Sequence, residues 1–111
     1  MPLFITRGRF TPDALRGMLA KPEDREAAIR SLFAQSEGKL LAYYMTFDAF
    51  DFLIVSEGPF DGVATLTLVA AATGGATDIT TTLAMTSAEM REAFVRAGPV
   101  AAQFRPAGQQ G

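Results

Sequence analysis

The most restrictive feature of this sequence is a pair of strand-like segments that lie almost directly next to each other. Residues 39–47 and 50–57 both alternate apolar side chains between two faces, and only Asp48 and Ala49 separate them. Strands joined this closely can pair only in the antiparallel direction, because a parallel connection needs a dozen or more residues. The sequence therefore predicts a β-hairpin with a tight turn at Asp48 and Ala49.

Before the hairpin, the pattern predicts one strand and a divided helical region. Residues 3–7 are short, apolar and partly β-branched, which is typical of a strand. Thr11 followed by Pro12 combines a capping hydroxyl with a proline at the first helical position, which indicates a helix start. Pro22 interrupts this helix, since a proline disfavours the helical conformation in the residue before it. A second helical run then ends at Gly38.

After the hairpin, the pattern predicts a helix, a strand and a last helix. Residues 60–73 combine strand-like and helix-like composition, and their length favours a helix. Residues 77–85 alternate as a strand. Thr86 with Glu89 three positions later forms a capping box that starts the last helix. The Gly-Pro pair at 98–99 is expected to end it.

The resulting order, β-α-β-β-α-β with a C-terminal helix, is that of a ferredoxin-like α+β fold. Right-handed crossovers then give an antiparallel sheet in the order 4-1-3-2, with the main helices on one face. We expect a single domain over residues 1–98 and a C-terminal tail over 99–111, since 111 residues suit one domain.

Every predicted strand carries apolar or neutral side chains on both faces. The helices can cover only one face, so the other would leave a larger apolar patch in water than monomers normally show. The sequence therefore predicts that two copies pack face to face as a homodimer, which could assemble further, and that they form a shared α/β barrel. Cover by the C-terminal tail is the alternative.

Composition removes several classes of function. The chain has no cysteine and no histidine, which excludes thiolate chemistry, the usual metal and haem ligands and the Ser-His-Asp arrangement. The net charge is −2 and the basic residues are scattered, which argues against binding nucleic acid or an anionic membrane. No signal peptide or membrane span is indicated, so we expect a cytoplasmic protein. We also expect that it uses no metal and no cofactor.

Three short stretches resemble the GYD-domain family, and the likeness extends over residues 3–96. They are Gly-Lys-Leu at 38–40, Asp-Ala-Phe-Asp at 48–51 where the family has Gly-x-Tyr-Asp, and Thr-Thr-Thr-Leu-Ala at 80–84. The resemblance implies the dimeric α/β-barrel superfamily. That superfamily includes small monooxygenases, isomerases, haem-using enzymes and ligand-sensing domains, so it does not decide the chemistry. The absence of histidine departs from the haem-binding branches.

Asp51 is the candidate catalytic residue, because a carboxylate near the start of a largely apolar central strand must be paired or shift its pKa. It is either a general base or a structural carboxylate that holds the hairpin. Strand one is expected to run antiparallel to strand three, which would bring Arg7 towards Asp51. The candidate ligand-binding residues at this barrel end and in its interior are Arg7, Tyr43, Tyr44, Thr46, Phe50, Thr80 and Thr82.

Three functions remain open from the sequence. The first is a homodimeric carrier or accessory domain that binds a small, mostly apolar molecule in an interior cavity. The second is a cofactor-free isomerase or monooxygenase that uses Asp51 or a tyrosine. The third is a domain that only self-associates and binds no ligand.

Overall fold

A computed structural model describes residues 1–108 of the chain. Within them, no helix is both long and apolar enough to cross a membrane. The helices and strands follow in the order β1 (Leu3–Phe10), α1 (Pro12–Ala20), α2 (Glu26–Ala34), β2 (Lys39–Met45), β3 (Phe52–Glu57), α3 (Phe60–Ala72), β4 (Ala76–Ala84) and α4 (Ser87–Gln103).

The four strands form one antiparallel sheet in the order β2-β3-β1-β4. This confirms the predicted ferredoxin-like α+β topology. The helical region before the hairpin is divided as expected: α1 begins after Thr11, whose hydroxyl accepts a hydrogen bond from the Ala14 N–H, and it ends before Pro22. The segment of mixed propensity after the hairpin is the helix α3.

The hairpin connection is longer than predicted. β2 ends at Met45 and β3 begins at Phe52, so residues 46–51 join them instead of a two-residue turn. Polar groups inside this loop explain the difference. The Thr46 hydroxyl donates to the Phe50 carbonyl at 2.8 Å, and the Asp48 carboxylate accepts from the Phe50 N–H at 2.9 Å. These hydrogen bonds replace ladder bonds, as is usual where short polar side chains compete with a sheet.

A register shift in β2 corrects the predicted faces of that strand. Leu40 pairs with Ser56 and Ala42 pairs with Val55, so Leu41 is an extra residue between two paired ones. Regular alternation had placed Leu41 on the same face as Tyr43. The irregularity puts Leu40 there instead, since a one-residue shift exchanges the faces of a strand.

The core lies between the sheet and the helices α2 and α3. Phe33 from α2 and Leu66 from α3 pack on the sheet residues Leu40, Phe52 and Ile54, and all five are buried. We call this covered side of the sheet the helix face. The opposite side, which residues 1–108 leave without a covering helix, is the open face.

The last helix continues beyond its predicted end. α4 runs through Gly98 and Pro99 to Gln103, so the predicted domain boundary at residue 98 falls inside it. None of its residues is buried, and α4 makes no extensive contact with any other helix or strand of the described chain. The molecule is 66 Å long but only 29 Å and 22 Å across. Its radius of gyration of 18.7 Å exceeds the roughly 13 Å of a compact chain of this length.

Candidate functional site

A large cavity of the described chain lies on the helix face of the sheet. It has a volume of about 800 Å³, within the range of small-molecule sites. The sheet and the helices α1, α2 and α3 form its walls, and it is partly open to solvent. Its apolar walls include Met18 from α1, Ile29 and Leu32 from α2, and Leu66 and Ala70 from α3.

An aromatic group forms the sheet side of the cavity. The rings of Phe10 and Phe52 lie 5.2 Å apart and are tilted by 41°. The ring of Tyr43 stacks on Phe52 with a centroid distance of 6.5 Å and an angle of 12°. These three residues come from β1, β3 and β2, so the sheet pairing itself brings the rings together. They give the cavity an aromatic wall suited to a ring-containing molecule.

Five hydroxyl-bearing side chains line this cavity, and three of them are already engaged. The Thr6 hydroxyl lies 3.1 Å from the hydroxyl of Thr81, while Thr67 and Thr73 each donate to a backbone carbonyl one helical turn earlier. The hydroxyls of Ser31 and Tyr43 form no hydrogen bond within residues 1–108. Ser31 is exposed, whereas Tyr43 is half-buried in the aromatic group, so the Tyr43 hydroxyl is the one available to a ligand inside the cavity.

Burial raises the pKa of Tyr43 above that of a free tyrosine. The positive charge of Arg25 opposes this shift and the negative charge of Asp24 adds to it. The phenol therefore stays protonated at neutral pH and can donate a hydrogen bond. A raised pKa makes it a poor general base there.

The mouth of the cavity carries two positive charges and one negative charge. Lys21, Glu23 and Arg25 line it where the chain passes from α1 to α2. The Arg25 guanidinium lies 2.9 Å from the Glu23 carboxylate in an exposed ion pair. Since this pair offsets the charge of Arg25, Lys21 leaves the entrance with a net positive charge.

The predicted ligand-binding residues are divided between two faces. Tyr43 lines the cavity on the helix face. Tyr44 and Arg7 both pair with Leu53, and Arg7 also pairs with Thr80. Directly opposed residues of antiparallel strands share a face, so these four side chains form one row across the open face. Thr82 follows in the next row, opposite Ile5.

Asp51 belongs to the hairpin loop and does not line the cavity. Its carboxylate accepts a hydrogen bond from the Phe10 N–H at 2.8 Å, and its own N–H donates to the Gly8 carbonyl at 2.8 Å. No ion pair with Arg7 forms within residues 1–108, contrary to the expectation from the sequence. The carboxylate is oriented towards the β1 backbone because that N–H has no strand partner. Thr46 and Phe50 stay in the same loop, bonded to each other.

Sequence reasoning missed the helix-side cavity and the residues Phe10, Met18, Thr67 and Ala70 that line it. A signal was present in the break at Lys21 and Pro22. A single continuous helix would lie along the sheet and close this space, whereas two short helices joined by residues 21–25 leave it open.

An antiparallel four-stranded sheet with helices on one face, a helix-side cavity and an uncovered opposite face defines a ferredoxin-like α+β domain. Comparison with protein families matches the GYD domain over residues 4–94, which is most of the chain. The chain belongs to the GYD domain family, as the resemblance indicated. Among curated proteins, no relative matches it.

Proposed function

We propose that this protein binds a small, mostly apolar molecule in the helix-side cavity. The observation that carries the proposal is the cavity of about 800 Å³ with largely apolar walls, formed inside a domain of 111 residues. Without a ligand, the apolar walls of this cavity are in contact with water. Covering them with an apolar molecule is favourable, because the free energy gained grows with the apolar area removed from water.

The walls favour a ligand with a ring and one oxygen acceptor. The rings of Phe10, Phe52 and Tyr43 offer an aromatic surface. The Tyr43 hydroxyl is protonated at neutral pH and donates to an acceptor such as a carbonyl or ether oxygen.

The enzymatic alternative has less support from the site. Asp51, its candidate base, lies outside the cavity and already accepts a backbone hydrogen bond. Tyr43 faces the cavity, but its raised pKa suits a hydrogen-bond donor and not a base. A carrier or accessory role needs only the cavity.

We also propose that the open face joins two copies into a homodimer. Its central row contains Ala42, Val55, Ile5 and Thr82, in register across all four strands. Arg7 lies on one side of this row, and Leu3 and Glu57 pair on the other. Apolar side chains in the centre with charge at the edges are typical of a stable protein interface. Two sheets packed this way would bury on the order of 1,600 Å².

A fluorescent apolar dye that brightens in apolar surroundings tests the cavity, and native mass spectrometry of freshly purified protein tests for a retained molecule. We expect saturable dye binding with one site per chain. Ala70→Phe fills the cavity from α3. It should lower the affinity for the dye by at least about 10-fold, because the new ring covers the apolar surface that the dye would occupy. The matched control is Ala72→Phe, on the exposed side of the same helix, which should leave dye affinity within about 2-fold.

Sedimentation equilibrium tests the homodimer separately. Val55→Lys places a charge in the centre of the open face and should shift the protein towards monomer. Ala34→Lys, at an exposed position of α2, should not. Dimers without any dye binding would support the third alternative, a self-associating domain without a ligand. Dye binding equal in wild type and Ala70→Phe would remove the cavity as the site.

A further inference from the structure

The helix α4 carries an apolar stripe that residues 1–108 leave uncovered. Phe94 is 70% exposed and Phe104 is 71% exposed, although both are large apolar side chains. The stripe repeats at intervals of three and four residues, the spacing of one helix face. Its members are Met90, Ala93, Phe94, Ala97, Ala101 and Phe104.

The same helix is poorly stabilised by its own sequence. Isolated helices of about this length are marginal in water, and most helical stability in proteins comes from packing of an apolar face. α4 also contains Gly98 and Pro99, which cost about 1 and 3 kcal/mol relative to alanine in a helix interior. Packing against a surface outside this chain would supply the missing stabilisation.

A matching surface lies between α3 and the edge strand β4. α3 is apolar almost all round, which is typical of a helix covered on both sides. Its outer side exposes Phe60 by 73% and Leu68 by 70%, and on the edge strand Leu83 is 69% exposed. Phe60 packs on Phe4, the strand partner of Leu83, so these side chains form one continuous surface. We call it the α3–β4 trough, formed by Phe60, Ala64, Leu68, Ala71, Thr81 and Leu83.

We propose that α4 of one protomer docks in the α3–β4 trough of a second copy, and that the second copy returns the same contact. The lengths agree: the stripe from Met90 to Phe104 extends about 21 Å, and α3 extends about 20 Å. Docking places a helix over the edge strand β4, whose helix-face residues Thr81 and Leu83 are exposed. This arm exchange is a second contact between the two copies, on the helix side of the sheet and separate from the open face. It goes beyond the proposed ligand binding and does not depend on it.

The exchanged area is sufficient for a stable dimer. Each large side chain of the stripe and of the trough exposes on the order of 100 Å². Three large side chains of the stripe meet three of the trough, and a two-fold arrangement makes this contact twice. The exchange therefore buries on the order of 1,200 Å², within the range of specific interfaces.

The departure of α4 from the body favours exchange over folding back. Only Met85 and Thr86 separate β4 from α4. Thr86 is bonded in both directions to Glu89, so the capping box fixes the helix where it begins. α4 then makes no extended contact with its own α3, although both helices expose apolar side chains.

Neighbouring residues of α4 provide a matched pair of variants. Phe94→Asp puts a charge on the stripe, while Val95→Asp puts the same charge on a different face at a residue that is 59% exposed. We expect Phe94→Asp to raise the dimer dissociation constant by at least about 100-fold, as for an interface hot spot present twice. Val95→Asp should change it by less than about 3-fold. Equal effects of the two variants would overturn the proposal.

Cysteine pairing tests the docking position directly, because the natural chain contains no cysteine. Phe94→Cys protein is mixed with Leu68→Cys protein, which carries a tag of different mass. The mixture is then oxidised under mild conditions. We expect a disulfide between the two kinds of chain. A chain with both substitutions that forms the disulfide within itself would show folding back and overturn the proposal. Bonding of Phe94→Cys only to its own kind would place arm against arm and would also overturn it.

Discussion

Gly8 of β1 lies directly beneath the aromatic ring of Phe52 on the neighbouring strand. A methyl group at Gly8 would be 2.5 Å from Cζ of Phe52 and 3.3 Å from the Ile79 side chain. Phe52 cannot simply turn away, because its ring is packed between those of Phe10 and Tyr43. The absence of a side chain at Gly8 therefore sets the position of the aromatic wall of the cavity.

Gly8→Ala should destabilise the protein by about 1–3 kcal/mol, the usual cost of overpacking a core. It should also weaken dye binding, because the Phe52 ring has to move. Urea unfolding and dye titration measure the two effects. Gly17→Ala is the control for the unfolding measurement alone, because Gly17 also lines the cavity. Nothing lies within 4 Å of its added methyl group. Because alanine favours helix, this change in α1 should stabilise by about 0.5–1 kcal/mol.

Asp51 should act as a structural acceptor. Asp51→Ala leaves the Phe10 N–H without its partner and should cost about 1–3 kcal/mol. Asp51→Asn keeps an oxygen that can accept this bond, so it should cost less than about 1 kcal/mol. Urea unfolding compares the two variants. If asparagine proves as costly as alanine, the negative charge matters more than the acceptor.

The sequence predicts the topology well because most helix starts and strand connections have a local physical cause. The nearly adjacent strands of the hairpin require antiparallel pairing, and the capping residues Thr11 and Thr86 start the helices α1 and α4. The details that it misses depend on contacts between distant residues. The register shift at Leu41 is a property of the β2–β3 pair and has no signature in β2 alone.

The candidate site is predicted less completely for the same reason. Arg7, Tyr44 and Thr80 share a face because strand alternation and register place them in one row. The direction of Tyr43 depends on the same register. The helix-side cavity depends on where α1 and α2 lie above the sheet. The positions of α1 and α2 above the sheet do not follow from periodicity. An apolar stripe shows that a helix face is covered, but it does not give the distance between the helix and the sheet.

Stability should fall at high pH through Tyr43. The pKa of Tyr43 is raised in the folded state, so the unfolded chain, with a tyrosine pKa of about 10, loses this proton first as the pH rises. The stabilisation that comes from the raised pKa of Tyr43 is fully present below the pKa of the unfolded chain. It is lost as the pH rises through the pKa of the folded protein. Urea unfolding at increasing alkaline pH should show a smaller decline for Tyr43→Phe than for Tyr44→Phe.

Ultraviolet titration of the Tyr44→Phe protein checks the cause, because Tyr43 is then the single tyrosine. Its phenolate absorbance should develop at higher pH in the folded protein than in urea. Development at the same pH in both would contradict the effect of burial on Tyr43.

The stability of the first turn of α4 should fall at low pH, whereas the contribution of Tyr43 is lost at high pH. The Thr86 backbone N–H donates to the Glu89 carboxylate at 3.0 Å, which together with the Thr86 hydroxyl lowers the pKa of Glu89. A lowered folded pKa gives a contribution that is present above the unfolded value of about 4.3 and is lost as the pH falls through the folded one. Far-ultraviolet circular dichroism should therefore show a loss of helix on acidification. Glu89→Gln should reduce this loss, since glutamine still accepts the hydrogen bond but does not titrate.

Thr86→Ala should lose helix already at neutral pH, because it lacks the hydroxyl that accepts from the Glu89 N–H. If Glu89→Gln loses helix on acidification as wild type does, another carboxylate controls the transition.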